Sequence, residues 1–218
     1  MDKIAIYDMD RTVTRIGTFT PFLVFAAKRR PLRLLLLPVY LLSLIGYPLK
    51  LLGRKRLKEI GFGLIVGRRV AATPLEALAR AYAHHVAQHN LFAGARARIA
   101  ADRAEGCRLV MATASPDFYV NEIAALLGFD EVIATRQVRC SDGAYSNRIE
   151  GENCYGLAKL TRIKQWLDGS QGEREVRFYS DHHSDAPVLE WADRAIAANP
   201  NAKLLAMAEA RQWEIVRF

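Results

Sequence analysis

Three short apolar runs in this chain each stop at polar residues. They cover residues 4–7, 108–112 and 175–179, and they end at Asp8, Thr113 and Ser180. Between them lie stretches in which apolar residues recur with the 3.6-residue period of a helix. Strands therefore alternate with amphipathic helices along the chain. This alternation predicts an α/β fold, in which a parallel sheet carries helices on both faces.

The polar residues that follow the three runs are expected to meet in space. In an open parallel sheet, ligands bind in the crevice at the carboxyl ends of the strands. Asp8 and Asp10 follow the first run, Thr113 follows the second and Asp181 follows the third. The sequence therefore predicts one site built from positions that are far apart in the chain.

The first polar cluster places two carboxylates two residues apart, at Asp8 and Asp10. Like charges this close repel each other unless a cation lies between them. Mg²⁺ prefers carboxylate and carbonyl oxygens, and it keeps water and substrate phosphate as further ligands. Because Asp181 supplies a third carboxylate, we predict a Mg²⁺ site formed by Asp8, Asp10 and Asp181.

A magnesium site of this kind favours phosphoryl transfer. The ion would neutralise phosphate charge and orient Asp8 for in-line attack. Asp10 would protonate the leaving alkoxide and then activate water to hydrolyse the aspartyl-phosphate. We expect the Thr113 hydroxyl, the Ala114 backbone amide and Lys159 to hold the remaining phosphoryl oxygens. A lone Asp-x-Asp is common in loops and helix caps, so the prediction depends on all of these motifs together.

In order and spacing, these motifs resemble those of the haloacid-dehalogenase-like (HAD) phosphatases, subfamily IB, the branch that contains phosphoserine phosphatase. The matching residues are Asp-Met-Asp-Arg-Thr at 8–12, Thr-Ala-Ser at 113–115, Lys159, and Asp-His-His-Ser-Asp at 181–185. The resemblance implies a Rossmann-like core, a Mg²⁺ cofactor, and a role for Asp185 in supporting the metal site or Lys159. Two positions depart from the family pattern. Arg11 stands where Gly is commoner, and His182 stands where a small hydroxyl residue commonly follows the metal-binding aspartate.

The stretch from about residue 18 to residue 90 does not follow the alternation of strand and helix. We predict that it is an inserted helical cap, and that residues 1–17 and 91–218 form the catalytic core. The family branch that the motifs resemble places a helical cap at this point. The cap contains a hydrophobic segment, residues 31–53, that is expected to associate with a membrane.

The centre of that segment is an uncharged run from Leu34 to Leu49. It is shorter than the roughly 20 apolar residues that span a bilayer, and Pro38, Gly46 and Pro48 argue against a straight spanning helix. A single crossing would also put the catalytic motifs on opposite sides of the membrane. The run is therefore expected to return to its own side as a re-entrant or interfacial element, or to be buried in the cap or in a dimer contact.

Positive charge concentrates around this run. The chain has a formal net charge of +8, and residues 28–69 contain eleven basic side chains and one acidic side chain, Glu59. Basic clusters on both flanks of an apolar element suit a cytoplasmic membrane surface that carries anionic lipid. Nucleic acid is not a predicted partner, because aliphatic residues rather than interleaved aromatic ones separate the charges.

Three functions stay open. A cap on the membrane makes a lipid phosphomonoester the natural substrate, and the arrangement is similar to the membrane-associated phosphatidylglycerophosphate phosphatases of the same superfamily. The alternative is a soluble phosphatase for a small metabolite such as phosphoserine or a sugar phosphate. The third is an inactive membrane-bound binding protein, and the intact catalytic positions count against it.

The predicted location is the cytoplasmic face of the inner (plasma) membrane, with the soluble cytoplasm as the alternative. The chain starts on an apolar strand, without the basic region, apolar stretch and cleavage site of a signal peptide. Three cysteines without short spacing support neither a disulfide framework nor a zinc site. The sequence leaves the oligomeric state open.

Overall fold

The computed structural model describes residues 2–46, 49, 51–168 and 173–218, and a six-stranded sheet forms its centre. In spatial order the strands are β4 (Glu131–Thr135), β3 (Arg108–Pro116), β1 (Asp2–Tyr7), β7 (Arg174–Ser180), β8 (Arg194–Ala198) and β9 (Glu214–Val216). Every neighbouring pair is parallel. The predicted α/β fold is confirmed, and β9 extends the sheet by one short strand that the sequence pattern did not predict.

Helices cover both faces of this sheet. The described residues form α1 (Phe19–Lys28), α2 (Pro31–Leu34), α3 (Leu37–Ser43), α4 (Arg54–Ile65), α5 (Ala72–His89), α6 (Ala93–Ala104), α7 (Asp117–Leu127), α8 (Leu157–Leu167), α9 (Ala186–Trp191) and α10 (Ala202–Arg211). Alternate residues of β1 serve the two faces: Ala5 and Tyr7 pack with α6 and α7, and Ile4 and Ile6 pack with α8, α9 and α10. A strand that is covered on both faces has to be apolar throughout, as this one is.

The inserted segment 18–90, called the cap below, is not purely helical. It ends with β2 (Arg69–Val70) and α5, and α5 packs along α7 of the core. β2 pairs antiparallel with β6 (Tyr145–Ile149), which also pairs with β5 (Gln137–Arg139) across a turn at 141–143. The two-residue strand β2 forms hydrogen bonds with an edge of this hairpin that would otherwise be unpaired. The local sequence pattern does not reveal this pairing.

The apolar run of the cap folds as short helices. α2 and α3 both carry a proline in the first turn, and a 3₁₀ helix (Leu44–Gly46) follows α3. Tyr40 is the one buried residue of these three helices. The predicted alternative in which the run is buried in the cap is therefore wrong for most of its residues. None of the helices in the described part of the chain is both long enough and apolar enough to cross a membrane. Tyr47, Pro48 and Lys50, which belong to the predicted membrane-associating segment, lie outside the described residues.

A buried polar network fastens α6 to the centre of the sheet. Asp102 on α6 is fully buried, and its Oδ2 accepts hydrogen bonds from the hydroxyls of Tyr7 (2.5 Å) and Tyr179 (2.8 Å). Arg177 on β7, itself 4% exposed, reaches Asp102 Oδ1 at 3.0 Å. Burial, together with the neighbouring Tyr179 and Asp102, raises the pKa of Tyr7 well above its usual range. The carboxylate is thus fully paired, and it joins β1, β7 and α6.

We expect Arg177→Met to lower the free energy of unfolding by about 3 kcal/mol, because it removes the buried counter-charge of Asp102 and leaves that carboxylate to the partly exposed Arg98 at 3.5 Å. Arg108→Met is the matched control: Arg108 lies on β3 and pairs with Glu131 at 2.6 Å, but that pair is exposed, and exposed pairs contribute less than about 1 kcal/mol. Urea unfolding of both variants measures the difference. Equal losses of stability would contradict this account of the network.

Candidate active site

The predicted site residues lie together at the carboxyl edge of the sheet. Asp8 follows β1 and Asp181 follows β7, and both are buried. The Asp8 amide donates to the Tyr179 carbonyl at 2.9 Å, which fixes the end of β1 against β7. Thr113 lies inside β3 rather than after it, because β3 continues past an irregular step and pairs again with β4 at Pro116.

Lys159 joins two of the aspartates. Its ammonium lies 2.8 Å from Asp8 Oδ1 and 2.6 Å from Asp185 Oδ2, and its side chain is 2% exposed. It belongs to the first turn of α8 rather than preceding the helix. Gly156 lies directly before the helix, and its positive φ of 58° is a backbone conformation that favours glycine. The Ser180 hydroxyl also donates to Asp185 Oδ2 at 2.8 Å. The structure therefore brings Lys159, Asp8 and Asp185 into direct contact.

This centre holds more negative than positive charge. Burial raises the pKa of Asp8 to about 8; Lys159 opposes this shift, while Asp185 and Asp181 add to it. Burial and then Asp185 raise the pKa of Asp181 to about 7. Burial alone would lower the pKa of Lys159, but Asp185 and Asp8 raise it above its usual range. One ammonium among three carboxylates leaves a deficit of positive charge that a divalent cation would fill.

The donor chemistry of these residues fits Mg²⁺. Carboxylate oxygens are the ligands that this ion prefers, and Asp185 Oδ1 is buried but accepts no hydrogen bond from any described residue. The three predicted ligands do not form a preformed carboxylate triad, however. Within the described residues, only Asp102, Glu105 and Cys107 bring three ligand atoms within 4.8 Å of one another, and Arg177 already pairs with Asp102 and Glu105.

Asp10 departs from the prediction that its carboxylate shares the cation with Asp8. Asp10 Oδ1 accepts hydrogen bonds from the amide and the hydroxyl of Thr18, both at 2.8 Å. Asp10 Oδ2 accepts from the Ser115 hydroxyl at 2.8 Å. These donors use both oxygens of the carboxylate and hold it toward the start of the cap. The same position suits a group that exchanges protons with a bound substrate.

The 113–115 turn carries two hydroxyls with different partners. The Ser115 hydroxyl donates a hydrogen bond to Asp10, while Thr113 Oγ1 accepts one from the Ser115 amide at 3.2 Å. A hydroxyl that accepts one hydrogen bond can still donate another. This arrangement favours Thr113 over Ser115 as the hydroxyl that binds a phosphoryl oxygen, together with the Ala114 amide.

Two departures from the family pattern have structural explanations. Arg11 has a φ of 64°, in the left-handed region that favours glycine. His182 Nδ1 lies 2.8 Å from the Ser184 hydroxyl and accepts the Ser184 amide. The histidine thus caps the short 3₁₀ helix His183–Asp185, which carries Asp185 toward Lys159.

Lys58 is one of the eleven basic residues between positions 28 and 69, and the structure places its side chain beside the 113–115 turn. It lies on α4, and its ammonium donates to the Ala114 main-chain oxygen at 2.5 Å and to Asn153 Oδ1 at 2.7 Å. One signal could have found it. Lys58 stands at helical spacing with Gly61, Phe62 and Ile65, which are buried residues of α4, and a lysine within such an apolar stripe has to be buried or paired.

The chain belongs to the haloacid dehalogenase-like hydrolase family, whose sequence pattern matches residues 5–190. Among curated relatives, CicA of Caulobacter vibrioides is 33% identical over 193 residues, which make up 87% of this chain and 83% of that protein. Phosphoserine phosphatase SerB1 of Mycobacterium tuberculosis is 27% identical over 176 residues, 78% of this chain and 56% of that protein. A crystal structure of a Bordetella pertussis protein of unknown function has a TM-score of 0.87 at 28% identity, covering 99% of this chain and 98% of that one.

These comparisons confirm the predicted superfamily. The chain spans about half the length of the first curated relatives it matches. Assignment to subfamily IB and the likeness to phosphatidylglycerophosphate phosphatases stay predictions.

The raised carboxylate pKa values predict how pH and Mg²⁺ act on stability. A carboxyl group has a pKa of about 4 in an unfolded chain, whereas Asp181 and Asp8 have values of about 7 and about 8 when folded. Between about pH 4 and about pH 8 the folded state binds more protons than the unfolded state. The contribution of these groups to the free energy of unfolding therefore falls as the pH rises through this range. Because Mg²⁺ competes with the protons, we expect it to raise Tm more at about pH 8 than at about pH 6.

Thermal unfolding with and without Mg²⁺ at the two pH values measures this effect. Asp181→Asn is the control, because it removes one of the carboxylates. Its Tm should depend less on pH without metal, and it should respond less to Mg²⁺. An equal response of the unsubstituted protein at both pH values would show that these carboxylates do not bind the ion.

Proposed function

We propose that this protein is a Mg²⁺-dependent phosphomonoester hydrolase that acts through a phospho-aspartate intermediate on Asp8. The observation that carries the proposal is the contrast between the two aspartates of the first motif. Asp8 lies against Lys159 at the centre of the site, whereas Asp10 accepts hydrogen bonds from Thr18 and Ser115. This contrast supports Asp8 as the group that attacks phosphorus and Asp10 as the group that exchanges protons.

The reaction has two steps. In the first, an oxygen of Asp8 bonds to phosphorus while the bond from phosphorus to the leaving oxygen breaks, and protonated Asp10 gives its proton to that oxygen. In the second, Asp10 takes a proton from water, the water oxygen bonds to phosphorus, and the bond to Asp8 breaks. The products are an alcohol and inorganic phosphate, and both aspartates return to their starting states.

The other residues hold the substrate and the attacking group. Asp8, Asp10 and Asp181 would hold Mg²⁺, which when bound neutralises charge on the phosphate. Thr113 and the Ala114 amide would bind phosphoryl oxygens. Lys159 would do the same while it keeps the Asp8 carboxylate in place.

We further propose that the substrate is a lipid phosphate, such as phosphatidylglycerophosphate, at the cytoplasmic face of the inner membrane. Seven aliphatic side chains between residues 32 and 45 are at least 40% exposed, and we call them the apolar cap surface. They are Leu32, Leu34, Leu35, Val39, Leu41, Leu42 and Ile45. Contiguous exposed apolar residues of this kind mark interaction sites with membranes or proteins.

The charges beside the apolar cap surface support an anionic membrane as its partner. Lys28, Arg29 and Arg30 are exposed where α1 ends, and Lys55 and Arg56 are exposed where α4 begins. Apolar insertion and attraction to anionic lipid reinforce each other in interfacial helices.

The basic cluster at the start of α4, which consists of Arg54, Lys55 and Arg56, also lies beside the active site. Arg54 stacks on the Tyr155 ring at 4.0 Å, and the Tyr155 ring lies 6.4 Å from the ring of His182, the residue after Asp181. A membrane held by this cluster would therefore adjoin the entrance to the site.

The alternative substrate is a small phosphomonoester such as phosphoserine or a sugar phosphate. The relative SerB1 is named as a phosphoserine phosphatase, and this favours a small substrate. In that case a second copy of the chain would be the partner that covers the apolar cap surface.

We expect Asp8→Asn to lower Mg²⁺-dependent phosphate release by about a thousandfold or more, as the loss of a nucleophile does in other enzymes. The substitution keeps the shape of the side chain, so the Tm of the metal-free protein should not fall. Phosphate release from p-nitrophenyl phosphate measures the loss. Retained turnover in a folded Asp8→Asn protein would refute Asp8 as the nucleophile.

We expect the protein to co-sediment with liposomes that contain anionic lipid, and the double variant Leu35→Glu/Leu42→Glu to bind at least about tenfold more weakly. Leu126→Glu, on α7 of the core, is the control: Leu126 is also exposed, but it lies outside the apolar cap surface. Unchanged binding in the double variant, or no binding by the unsubstituted protein, would refute the proposal that the apolar cap surface binds a membrane.

A comparison of substrates separates the two candidate functions. If the lipid proposal holds, kcat/KM for phosphatidylglycerophosphate in mixed micelles exceeds that for phosphoserine. The reverse order would refute the lipid substrate and leave the phosphatase chemistry intact.

A further inference from the structure

Lys58 is carried by the cap, but its ammonium lies inside the protein. Its neighbours Lys55 and Arg56 are exposed. The Lys58 residue is only partly buried as a whole, yet protein atoms surround its ammonium and lower its pKa to about 8. A buried ammonium is unfavourable unless hydrogen bonds compensate for the lost water. The contacts of Lys58 must therefore be strong enough to hold it in place.

Both acceptors of this ammonium belong to the core. One is the main-chain oxygen of Ala114, and the other is Asn153 Oδ1. Asn153 Oδ1 also accepts the Thr135 hydroxyl at 3.0 Å, and Thr135 is the last residue of β4. Lys58 thus connects α4 of the cap to the 113–115 turn and to the end of β4.

The contact with Ala114 restrains more than one atom. The Ala114 carbonyl and the Ser115 amide belong to one planar peptide unit, so fixing the first fixes the second. The Ser115 amide donates to Thr113 Oγ1, and the Ser115 hydroxyl donates to Asp10. A single lysine of the cap is therefore linked to the hydroxyl proposed to bind phosphate and to the proposed general acid.

We infer that Lys58 is a positioning residue that couples closure of the cap to the geometry of the phosphate-binding turn. The inference rests on the proposed phosphatase function. When α4 lies against the core, Lys58 holds the turn; when α4 moves away, both of its hydrogen bonds break. A site completed only on closure reacts only while substrate is enclosed. Because Lys58 acts on the turn, its effect does not depend on the leaving group.

The test is Lys58→Met, which keeps an unbranched side chain and removes the charge. We expect kcat/KM to fall by about 10–100-fold, as misplaced catalytic groups cause elsewhere, and by a similar factor for phosphatidylglycerophosphate, phosphoserine and p-nitrophenyl phosphate. Amide hydrogen exchange across residues 113–116 should become faster, and Lys58→Arg should restore part of the activity.

Lys203→Met is the control. Lys203 is also a lysine on a helix, α10 of the core, but it is exposed and lies outside the site and outside the basic clusters of the cap. Its activity should stay within about twofold of the unsubstituted protein, because exposed substitutions of this kind have small effects. Equal losses in the two methionine variants, or unchanged exchange at 113–116 in Lys58→Met, would overturn the inference.

A loss confined to substrates with a second anionic group would also overturn the inference, because it would make Lys58 a substrate-recognition residue. If Lys58→Met does not fold, Asn153→Ala removes the second acceptor, and the same readouts apply to it. Retained turnover in Asp8→Asn would reveal a failure of the proposed function separately, because hydrogen exchange at 113–116 does not depend on activity.

Discussion

The Lys159 ammonium lies between Asp8 and Asp185 without access to water, and the rest of the site is arranged around this contact. It requires α8 to start close to the ends of β1 and β7, which the turn at Gly156 allows. A single ammonium does not balance Asp8, Asp181 and Asp185. Burial, and after it the neighbouring carboxylates, raise the pKa of Asp8 and of Asp181. The contact thus fixes the proposed nucleophile, and the remaining negative charge is what a divalent cation would balance.

The site is not complete in the core alone. Asp10 follows β1, but its carboxylate is held by Thr18, at the start of the cap. The Thr18 carbonyl in turn accepts the Tyr82 hydroxyl of α5 at 2.7 Å. Together with Lys58 on α4, these contacts make the position of the cap a determinant of catalytic geometry. Movement of the cap would change the orientation of the proposed general acid as well as the access of substrate.

The apolar residues of the cap show how local breaks decide exposure. Pro31 and Pro38 each start a helix, because proline fits the first turn but not the interior. The run is thereby divided into the short helices α2 and α3. Most of their leucines are exposed, while Leu37 packs partly against the core. A long helix with the same composition would have suited burial or a bilayer span instead.

The sequence by itself determined the strands of the catalytic edge and the residues that follow them, because apolar runs and the chemistry of adjacent carboxylates are local properties. It also indicated Lys159 and Asp185, although only through their order along the chain. Tertiary structure decided the orientation of Asp10 and the burial of Lys58. Their partners, Ser115 and Ala114, lie 105 and 56 residues away, and no local pattern specifies which distant donor or acceptor a side chain will meet. Exposure of the leucines was likewise decided by packing, since an apolar residue in a sequence fits a core and a docking surface equally well.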